Sequence, residues 1–271
     1  MTPSSLLAES APTTAVPVPP VWGIVLTLLL VAVTAYVALR QRLGLARDLG
    51  IAVVRAAAQL VAVGFALRFL FEHTGLPGSL GWVAAMVVLA GRTAGGRAKP
   101  LPGAVRVATA AVGVAAALTV GLLVGAGVIE ATPRVVVPIG GMVVSAAMTG
   151  ATLTLARVRD EVTASRATVE ARLALGLPSA AAFAPHLRLA LRSAIAPSID
   201  QTKVVGLITL PGAMTGLIIA GVSPVVAIRY QIIVMYMFLG AGTIAALVAG
   251  RLAGRALFDD AHRLLWLDPA R

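Results

Sequence analysis

RVRDEVTASRATVEARLALGLPSAAAFAPHLRLALRSAIAP, residues 157–197, is the only long polar segment in a chain that is otherwise strongly apolar. Within it, EARLALG, residues 170–176, has the composition of a short helix. Arg166 lies four residues before Glu170, so the two side chains can pair on one helical face. Because the flanking sequence is apolar enough for a membrane, we expect most of the polar segment to lie outside the bilayer.

The end of this helix is also visible in the sequence. Gly176 can adopt the left-handed backbone that terminates a helix, and Pro178 prevents its continuation. We therefore predict a compact helical element that leaves Glu170 and Arg172 available to a partner. Its apolar residues, which we expect to pack inward, are Ala171, Leu173, Ala174 and Leu175.

Composition identifies the class of protein. Apolar residues make up 59% of the chain and charged residues 12%, with a mean hydropathy of +0.94. Soluble domains carry about 25% charged residues, so we predict an all-α polytopic membrane protein. The net charge of +11 is not arranged as a basic run with aromatics, which argues against nucleic acid. The absence of cysteine excludes disulfides and thiolate metal sites, and the three histidines show no ligand spacing.

Seven apolar stretches are candidates for membrane spans. They are residues 21–39, 49–71, 80–90 (extending to 94), 107–129, 135–156, 199–222 and 225–250. The third is short, and residues 75–78 (GLPG) are expected to form the turn before it. The fourth contains Gly121 and Gly125, a spacing that permits close helix packing. Residues 1–20 are predicted to be a disordered tail, residues 21–256 a transmembrane permease domain, and residues 257–271 a cytoplasmic tail.

Basic residues predict the orientation. The connections after the first, third and fifth spans, together with residues 251–271 after the last span, contain 17 of the 22 lysines and arginines. Because cytoplasmic connections are enriched in Lys and Arg, we expect the N-terminus outside and the C-terminus in the cytoplasm. This orientation places residues 157–197 in the cytoplasm, with the short helix between spans five and six.

Polar groups inside spans are candidate pathway residues, because their insertion into lipid is unfavourable. Arg55 and Gln59 share one helical face, where they could line a pathway or bond to other helices. Asp200 and Lys203 lie one turn apart, and a simple ion pair is the favoured interpretation over a role in substrate binding.

A broken helix is the other pathway signal. Pro211 and Gly212 interrupt the sixth span and would leave carbonyls unpaired, as in helices that line transport pathways or as in a plain kink. Met142 and Met214 could offer thioether ligands to a metal, although packing is the commoner role of methionine. Met148, Met235 and Met237 are further candidates of the same kind.

Several motifs point to a family. Glu170, Ala171 and Gly176 resemble the EAA coupling motif of ABC-transporter permeases, with Arg172 in place of the second alanine. VEARLALG is followed in order by KVVGL, LPGAMTG and AIRYQIIVM, at residues 203–207, 210–216 and 227–235. This series resembles the FetB/YbbM permease family over about residues 45–262.

The resemblance implies a permease subunit of an ABC transporter in the bacterial inner membrane, working as a homodimer with a separate cytoplasmic ATPase that binds ATP and Mg²⁺. It also implies export of iron or a related metal. The residues that would contact the ATPase are Glu170, Ala171, Arg172 and Gly176. The chain departs from the family at Ser145 and Ala146, where relatives tend to carry Gly-Asn, and at Leu217, where they tend to carry Gln. Both changes remove polar groups from the expected translocation pathway, so the resemblance does not identify the substrate of this chain.

No enzyme motif is present. The sequence lacks the Gly-x4-Gly-Lys-Ser/Thr loop of nucleotide-binding proteins, a His-Glu-x-x-His zinc helix and a Gly-x-Ser-x-Gly nucleophile elbow. We therefore expect no catalytic residue and no cofactor within this chain. The two alternatives from other classes are an ATP-independent carrier or channel and a structural membrane scaffold.

Overall fold

The computed structural model describes residues 20–41, 44, 46–206 and 212–266, and these residues are almost entirely helical. The helices are α1 Val21–Arg40, α2 Ala46–His73, α3 Gly75–Gly96, α4 Ala104–Gly125, α5 Pro133–Ala164, α6 Arg166–Ala174, α7 Ser179–Val204, α8 Gly212–Ile219 and α9 Pro224–Ala256. The described ranges contain isolated β-bridges and no β-strand. The all-α prediction is confirmed, whereas the predicted tail before Pro20 lies outside the described residues.

Five helices among the described residues are long and apolar enough to cross a membrane. They are Leu49–His73, Gly75–Gly96, Ala104–Gly125, Pro133–Ala164 and Pro224–Ala256. The apolar helix Val25–Arg40 is shorter. In the predicted sixth span, α7 continues to Val204 and α8 begins at Gly212, with residues 207–211 outside the described ranges. The chain is a multi-pass membrane protein, and seven spans and the orientation stay predictions.

The structure corrects the third span. Helix α3 begins at Gly75 and has 22 residues, so residues 75–78 form its first turn and are not the turn before it. Pro77 is compatible with this position, because the first N–H groups of a helix have no intrahelical acceptor. The span was expected to be short because Gly and Pro were taken as breakers at a point where they begin a helix.

The polar segment 157–197 is mostly helical. Helix α5 continues past the predicted span end at residue 156 to Ala164, and Val158 and Val162 are buried on one face of this extension. Helix α7 already begins at Ser179 and includes Pro185 and Pro197. Residues 199–204, assigned to the sixth span from sequence, are therefore the last residues of α7.

The contacts divide the chain into two compact units. One comprises Met1–Glu72 and Gly212–Ala227, and its described helices are α1, α2 and α8. The other comprises His73–Pro211 and Ile228–Arg271 and contains α3 to α7 and α9 from Ile228.

The larger unit has a core of small side chains. Fully buried alanines recur along its helices, as expected where helices associate in a membrane by close packing. They include Ala94, Ala108, Ala111, Ala115, Ala147, Ala151, Ala241, Ala245 and Ala249. A side chain at Gly150 of α5 would overlap the backbone of Gly242 in α9, so this crossing requires glycine. At Gly121 and Gly125, by contrast, an added Cβ would meet nothing within 4 Å, so the described chain does not use the predicted packing motif there.

Candidate coupling site

Helix α6 forms where the sequence predicts a compact helix. Its C-terminus has two characteristic hydrogen bonds: the Leu177 N–H donates to the Arg172 carbonyl at 3.2 Å, and the Gly176 N–H donates to the Leu173 carbonyl at 2.9 Å. Gly176 has φ +85°, a left-handed conformation that is unstrained only for glycine. This pattern is the Schellman motif, so the predicted helix stop is confirmed at atomic detail.

The buried face of α6 differs from the predicted one. Val169 is completely buried and Leu173 packs against the core of the larger unit. Of the residues expected to face inward, Leu173 does so, whereas Ala171, Ala174 and Leu175 are exposed. The prediction failed for these three because Val169 and Leu173, spaced four apart, define the inward stripe of the helix. Leu175 follows the last helical residue, and its side chain is 80% exposed.

The charged residues of α6 have different environments. Arg166 and Glu170 form the predicted ion pair, with Nη2 and Oε1 2.8 Å apart. Arg172 was expected to be available to a partner, but its Nη1 donates to the Ala182 carbonyl of α7 at 3.2 Å. Glu170 is exposed. The helix therefore presents a carboxylate while its arginines bind neighbouring segments.

A segment that sequence reasoning treated as a tail folds back onto α6. We call residues 257–266 the C-terminal clip. It closes on itself through a bridge between Phe258 and Leu264 and through the Leu265 N–H, which donates to the Leu257 carbonyl at 2.9 Å. Phe258 and Leu264 pack against the same core as Leu173. The clip is thus an ordered part of the site.

Arg166 holds the clip against α6. Its Nη1 donates to the Leu265 carbonyl at 3.1 Å, and its Nη2 donates more weakly to the Leu264 carbonyl at 3.4 Å. The guanidinium also lies 4.6 Å from the ring centroid of Trp266, within the range of a cation–π interaction. One side chain therefore joins Glu170 of α6 to the last described residues of the chain.

The turn inside the clip depends on Asp259. Its Oδ1 accepts hydrogen bonds from the backbone N–H groups of Ala261 and Arg263, at 3.0 and 2.8 Å. Its Oδ2 accepts from Arg263 Nε at 2.8 Å. The bond from the Arg263 backbone, aided by the Arg263 side chain, holds the pKa of the Asp259 carboxyl below its usual value. The charged carboxylate is therefore the form that fits the turn.

Two polar contacts join the surrounding helices and the clip. His186 of α7 donates from Nδ1 to Glu161 Oε1 of α5 at 2.9 Å, and both side chains are largely buried. Ser179 Oγ, at the start of α7, lies 2.9 Å from Nδ1 of His262 in the clip. The first contact joins α5 to α7, and the second joins the start of α7 to the clip.

A cavity of about 610 Å³ lies between the end of α6 and the clip. Its wall includes Glu170 and Gly176, two of the four residues expected to contact a partner. The remaining lining residues are Leu173, Leu177, Pro178, Ala261, His262, Arg263 and Leu264. An open, partly polar surface with an exposed carboxylate at its edge can accept a basic side chain from another protein.

The predicted pathway residues of the larger unit do not form a cluster of ionisable groups. Asp200 and Lys203 form the predicted ion pair at 3.0 Å, and both side chains are about 70% exposed, while their role in substrate binding stays a prediction. Met142 is half-buried against the core. Among the described residues, no group of three or more His, Asp or Glu side chains is arranged to hold a metal.

The remaining pathway candidates belong to the smaller unit or are not described. Arg55 and Gln59 are exposed on α2, and Met214 is half-buried on α8. Gly212 is the first residue of α8, and Pro211 lies outside the described residues, as does any break at that position. The proposed role of these residues in a pathway stays a prediction.

Sequence reasoning missed three buried polar side chains that lack a hydrogen-bond partner among the described residues, Thr119, Thr154 and Gln231, and the last two are the most deeply buried. Gln231 of α9 is 6% exposed and Thr154 of α5 is completely buried. Gln231 Oε1 and Thr154 Oγ1 have no hydrogen-bond partner in the described part of the chain. Unpaired polar atoms are unfavourable in a membrane interior, so both are candidate functional groups. The signal for Gln231 was present, because it is an amide within the apolar run AIRYQIIVM.

Three known proteins are similar to the chain along most of their length. The UPF0014 membrane protein STAR2 of Oryza sativa subsp. japonica is 41% identical over 244 residues, covering 86% of this chain and 84% of the relative. Protein ALUMINUM SENSITIVE 3 of Arabidopsis thaliana is 37% identical over 241 residues, covering 88% and 87%. The Probable iron export permease protein FetB of Escherichia coli (strain K12) is 33% identical over 243 residues, covering 90% and 94%.

These similarities confirm the resemblance to FetB that the motifs indicate. No solved structure matches the chain significantly. Residues 21–258, which include all nine described helices, match the family described as "Uncharacterised protein family (UPF0014)". The chain therefore belongs to the UPF0014 family of membrane proteins.

Proposed function

We propose that the chain is the membrane subunit of an ABC transporter that exports iron or a related metal ion from the cytosol. A separate ATPase, with its own ATP and Mg²⁺, would supply the energy. The transporter would be a homodimer of this chain in the bacterial inner membrane, with one ATPase on each copy. Residues 157–197 would face the cytoplasm, as the distribution of basic residues favours.

The observation that carries the proposal is the setting of α6. The helix is short, ends in a defined Schellman motif and presents the exposed carboxylate of Glu170 beside a cavity. It follows α5 with one intervening residue, and Val169 anchors it in the core. A force applied to α6 would therefore reach α5, which is a candidate membrane span.

The substrate and the direction of transport rest on the name of the Escherichia coli relative, a probable iron export permease. The described residues offer soft or neutral groups such as Met142 and Gln231 and no cluster of carboxylates or histidines. This set is compatible with a pathway that releases its ion readily, since passage requires weak and changing contacts.

Co-purification tests the proposal. The tagged chain is extracted from native membranes in mild detergent, and mass spectrometry searches the eluate for a protein with a Gly-x4-Gly-Lys-Ser/Thr motif. We expect an ATPase with the wild type and its loss from Glu170→Lys, which reverses the exposed charge. Gly176→Pro should have the same effect, because proline cannot adopt φ +85° and lacks the N–H that bonds to Leu173.

Glu72→Lys is the matched control. Glu72 is also an exposed glutamate that pairs with an arginine four residues away, Arg68, but it belongs to the smaller unit. This variant should retain the ATPase. If no ATPase accompanies even the wild type, the proposal fails. Metal export by Glu170→Lys at the wild-type rate would then indicate an ATP-independent carrier, and absence of any solute movement would indicate a scaffold.

A further inference from the structure

A groove between α7 and α9 has a chemistry that coupling to an ATPase does not use. It encloses about 400 Å³. Its apolar wall consists of Phe183, Leu187 and Leu191 on α7, facing Gly254 on α9. An added Cβ at Gly254 would lie 3.6 Å from Leu187 and 3.8 Å from Phe183, so the glycine leaves the groove open.

Three arginines line this apolar groove. Arg188 is on α7, while Arg251 and Arg255 lie one turn apart on α9, and all three are exposed. The lining among the described residues includes no acidic side chain. No ion pair with a described carboxylate involves these arginines, and the bond from Arg188 Nε to the Ala184 carbonyl is long, at 3.4 Å. Three like charges near one another favour the binding of an anion.

The position of the groove restricts the type of anion. Helix α9 is a candidate membrane span, and Arg251 and Arg255 are in its last two turns. Arginines at the end of a span extend toward the membrane surface, where anionic headgroups lie. A small soluble anion would leave the half-buried side chains of Leu187 and Leu191 in contact with water, whereas Phe183 behind them is already buried. An anion with an attached hydrocarbon chain can bind the arginines with its charge and cover the apolar wall with its chain.

We propose that this groove binds one anionic phospholipid. The headgroup phosphate binds Arg188, Arg251 and Arg255, and the first part of an acyl chain lies along the apolar wall. Because Ser179 lines the groove and also contacts His262 of the clip, the lipid would sit beside the site that surrounds α6. This inference does not depend on the identity of the transported substrate or on an ATPase.

Native mass spectrometry of the purified full chain tests the lipid site. The protein in mild detergent is titrated with phosphatidylglycerol, and in parallel with phosphatidylcholine of the same acyl chains. The wild type should retain the anionic lipid in preference. Arg251→Gln/Arg255→Gln should bind phosphatidylglycerol about 30-fold more weakly, from the contribution of two arginines near an anionic headgroup. Arg106→Gln/Arg192→Gln removes two exposed arginines outside the groove and should change binding less than about threefold.

Gly254→Leu tests the apolar half, because it fills the groove and retains every arginine. We expect it to lose phosphatidylglycerol as well. Size-exclusion profiles establish that each variant is folded, and if the double variant is not, Arg255→Gln alone should still weaken binding about fivefold.

Four results would overturn the proposal. The first is an equal loss of phosphatidylglycerol binding in Arg251→Gln/Arg255→Gln and in Arg106→Gln/Arg192→Gln. The second is binding of phosphatidylglycerol by Gly254→Leu as strong as by the wild type. The third is displacement of the lipid by inorganic phosphate at the same concentration as the headgroup, which would indicate a site for a free anion. The fourth is loss of a protein partner from Arg251→Gln/Arg255→Gln with unchanged lipid binding, which would indicate a protein-binding surface.

Discussion

Replacing Arg166 with glutamine should release the C-terminal clip from α6. The change removes the ion pair with Glu170 at 2.8 Å, the bond to the Leu265 carbonyl at 3.1 Å and the contact with the ring of Trp266 at 4.6 Å. The hydrogen bond from Arg166 to the Leu264 carbonyl is 3.4 Å long and therefore contributes little to the stability of the closed clip. The core contacts of Phe258 and Leu264 remain, so the clip should open more often while α6 stays folded.

The size of the effect follows from the two contacts that join Arg166 to the clip, because the ion pair with Glu170 lies within α6 and is present whether the clip is closed or open. The charged hydrogen bond contributes about 1.5 kcal/mol and the cation–π contact about 0.7 kcal/mol. Their loss should favour opening by about 2.2 kcal/mol, which corresponds to about a 40-fold change in the opening equilibrium.

Hydrogen exchange measures this opening directly. The N–H of Leu265, bonded within the clip at 2.9 Å, should exchange about 40-fold faster in Arg166→Gln. Arg166→Lys keeps the charge but cannot reach both the Leu265 carbonyl and the Trp266 ring, so its exchange rate at Leu265 should lie between those of the wild type and Arg166→Gln. Arg159→Gln is the control, because Arg159 pairs with Asp160 and does not contact the clip. Exchange in Arg166→Gln within twofold of the wild type would show that the clip is held by its apolar contacts alone.

Two further predictions concern packing and pH. Gly150→Val should lower the free energy of unfolding of the detergent-solubilised chain by about 3 kcal/mol or more, because its side chain would overlap the Gly242 backbone. Thermal unfolding measures the change. Gly121→Val is the control and should unfold near the wild-type temperature, because the space around Gly121 is open. The Asp259 turn should persist above the usual carboxyl pKa of 3.8 and open as the pH falls through the lower pKa of the folded state. Exchange of the Arg263 N–H, corrected for its intrinsic pH dependence, measures this opening, and an Asp259→Ala variant, which has no acceptor oxygen in its side chain, should be open at every pH.

Local signals in the sequence were reliable where the structure depends on neighbouring residues. The helix stop at Gly176 and Pro178 and the pairing of Arg166 with Glu170 involve residues within a few positions of each other, and both are confirmed. The extension of α5 could also have been found, since Val158 and Val162 continue its buried face. It was missed because charged residues were taken to mark the end of the helix.

Contacts between distant residues were not visible in the sequence. Arg166 and Leu265 are 99 positions apart, and the segment after α9 is short and rich in charged residues, as surface tails are. The glycine crossing was misplaced for a similar reason, because Gly121 and Gly125 fit the spacing rule while Gly150 meets a residue far along the chain. Spacing within one helix does not indicate which helix it will meet.

Because α5 is long, a small displacement at the end next to α6 corresponds to a larger displacement at its other end. Its apolar part, residues 133–156, is about 36 Å long, and its polar extension, residues 157–164, is about 12 Å long. If the helix pivots as a stiff rod where these parts meet, the inner arm is three times the outer one. A sideways displacement of about 2 Å at Ala164 would then swing Pro133 by about 6 Å in the opposite direction, comparable to one helical turn. Because Gly140 of α5 lies against Val83 of α3 and the side chains of Val136 and Val137 are buried, a small movement of α6 would be enlarged at the far end of the span and would displace the neighbouring helices with it.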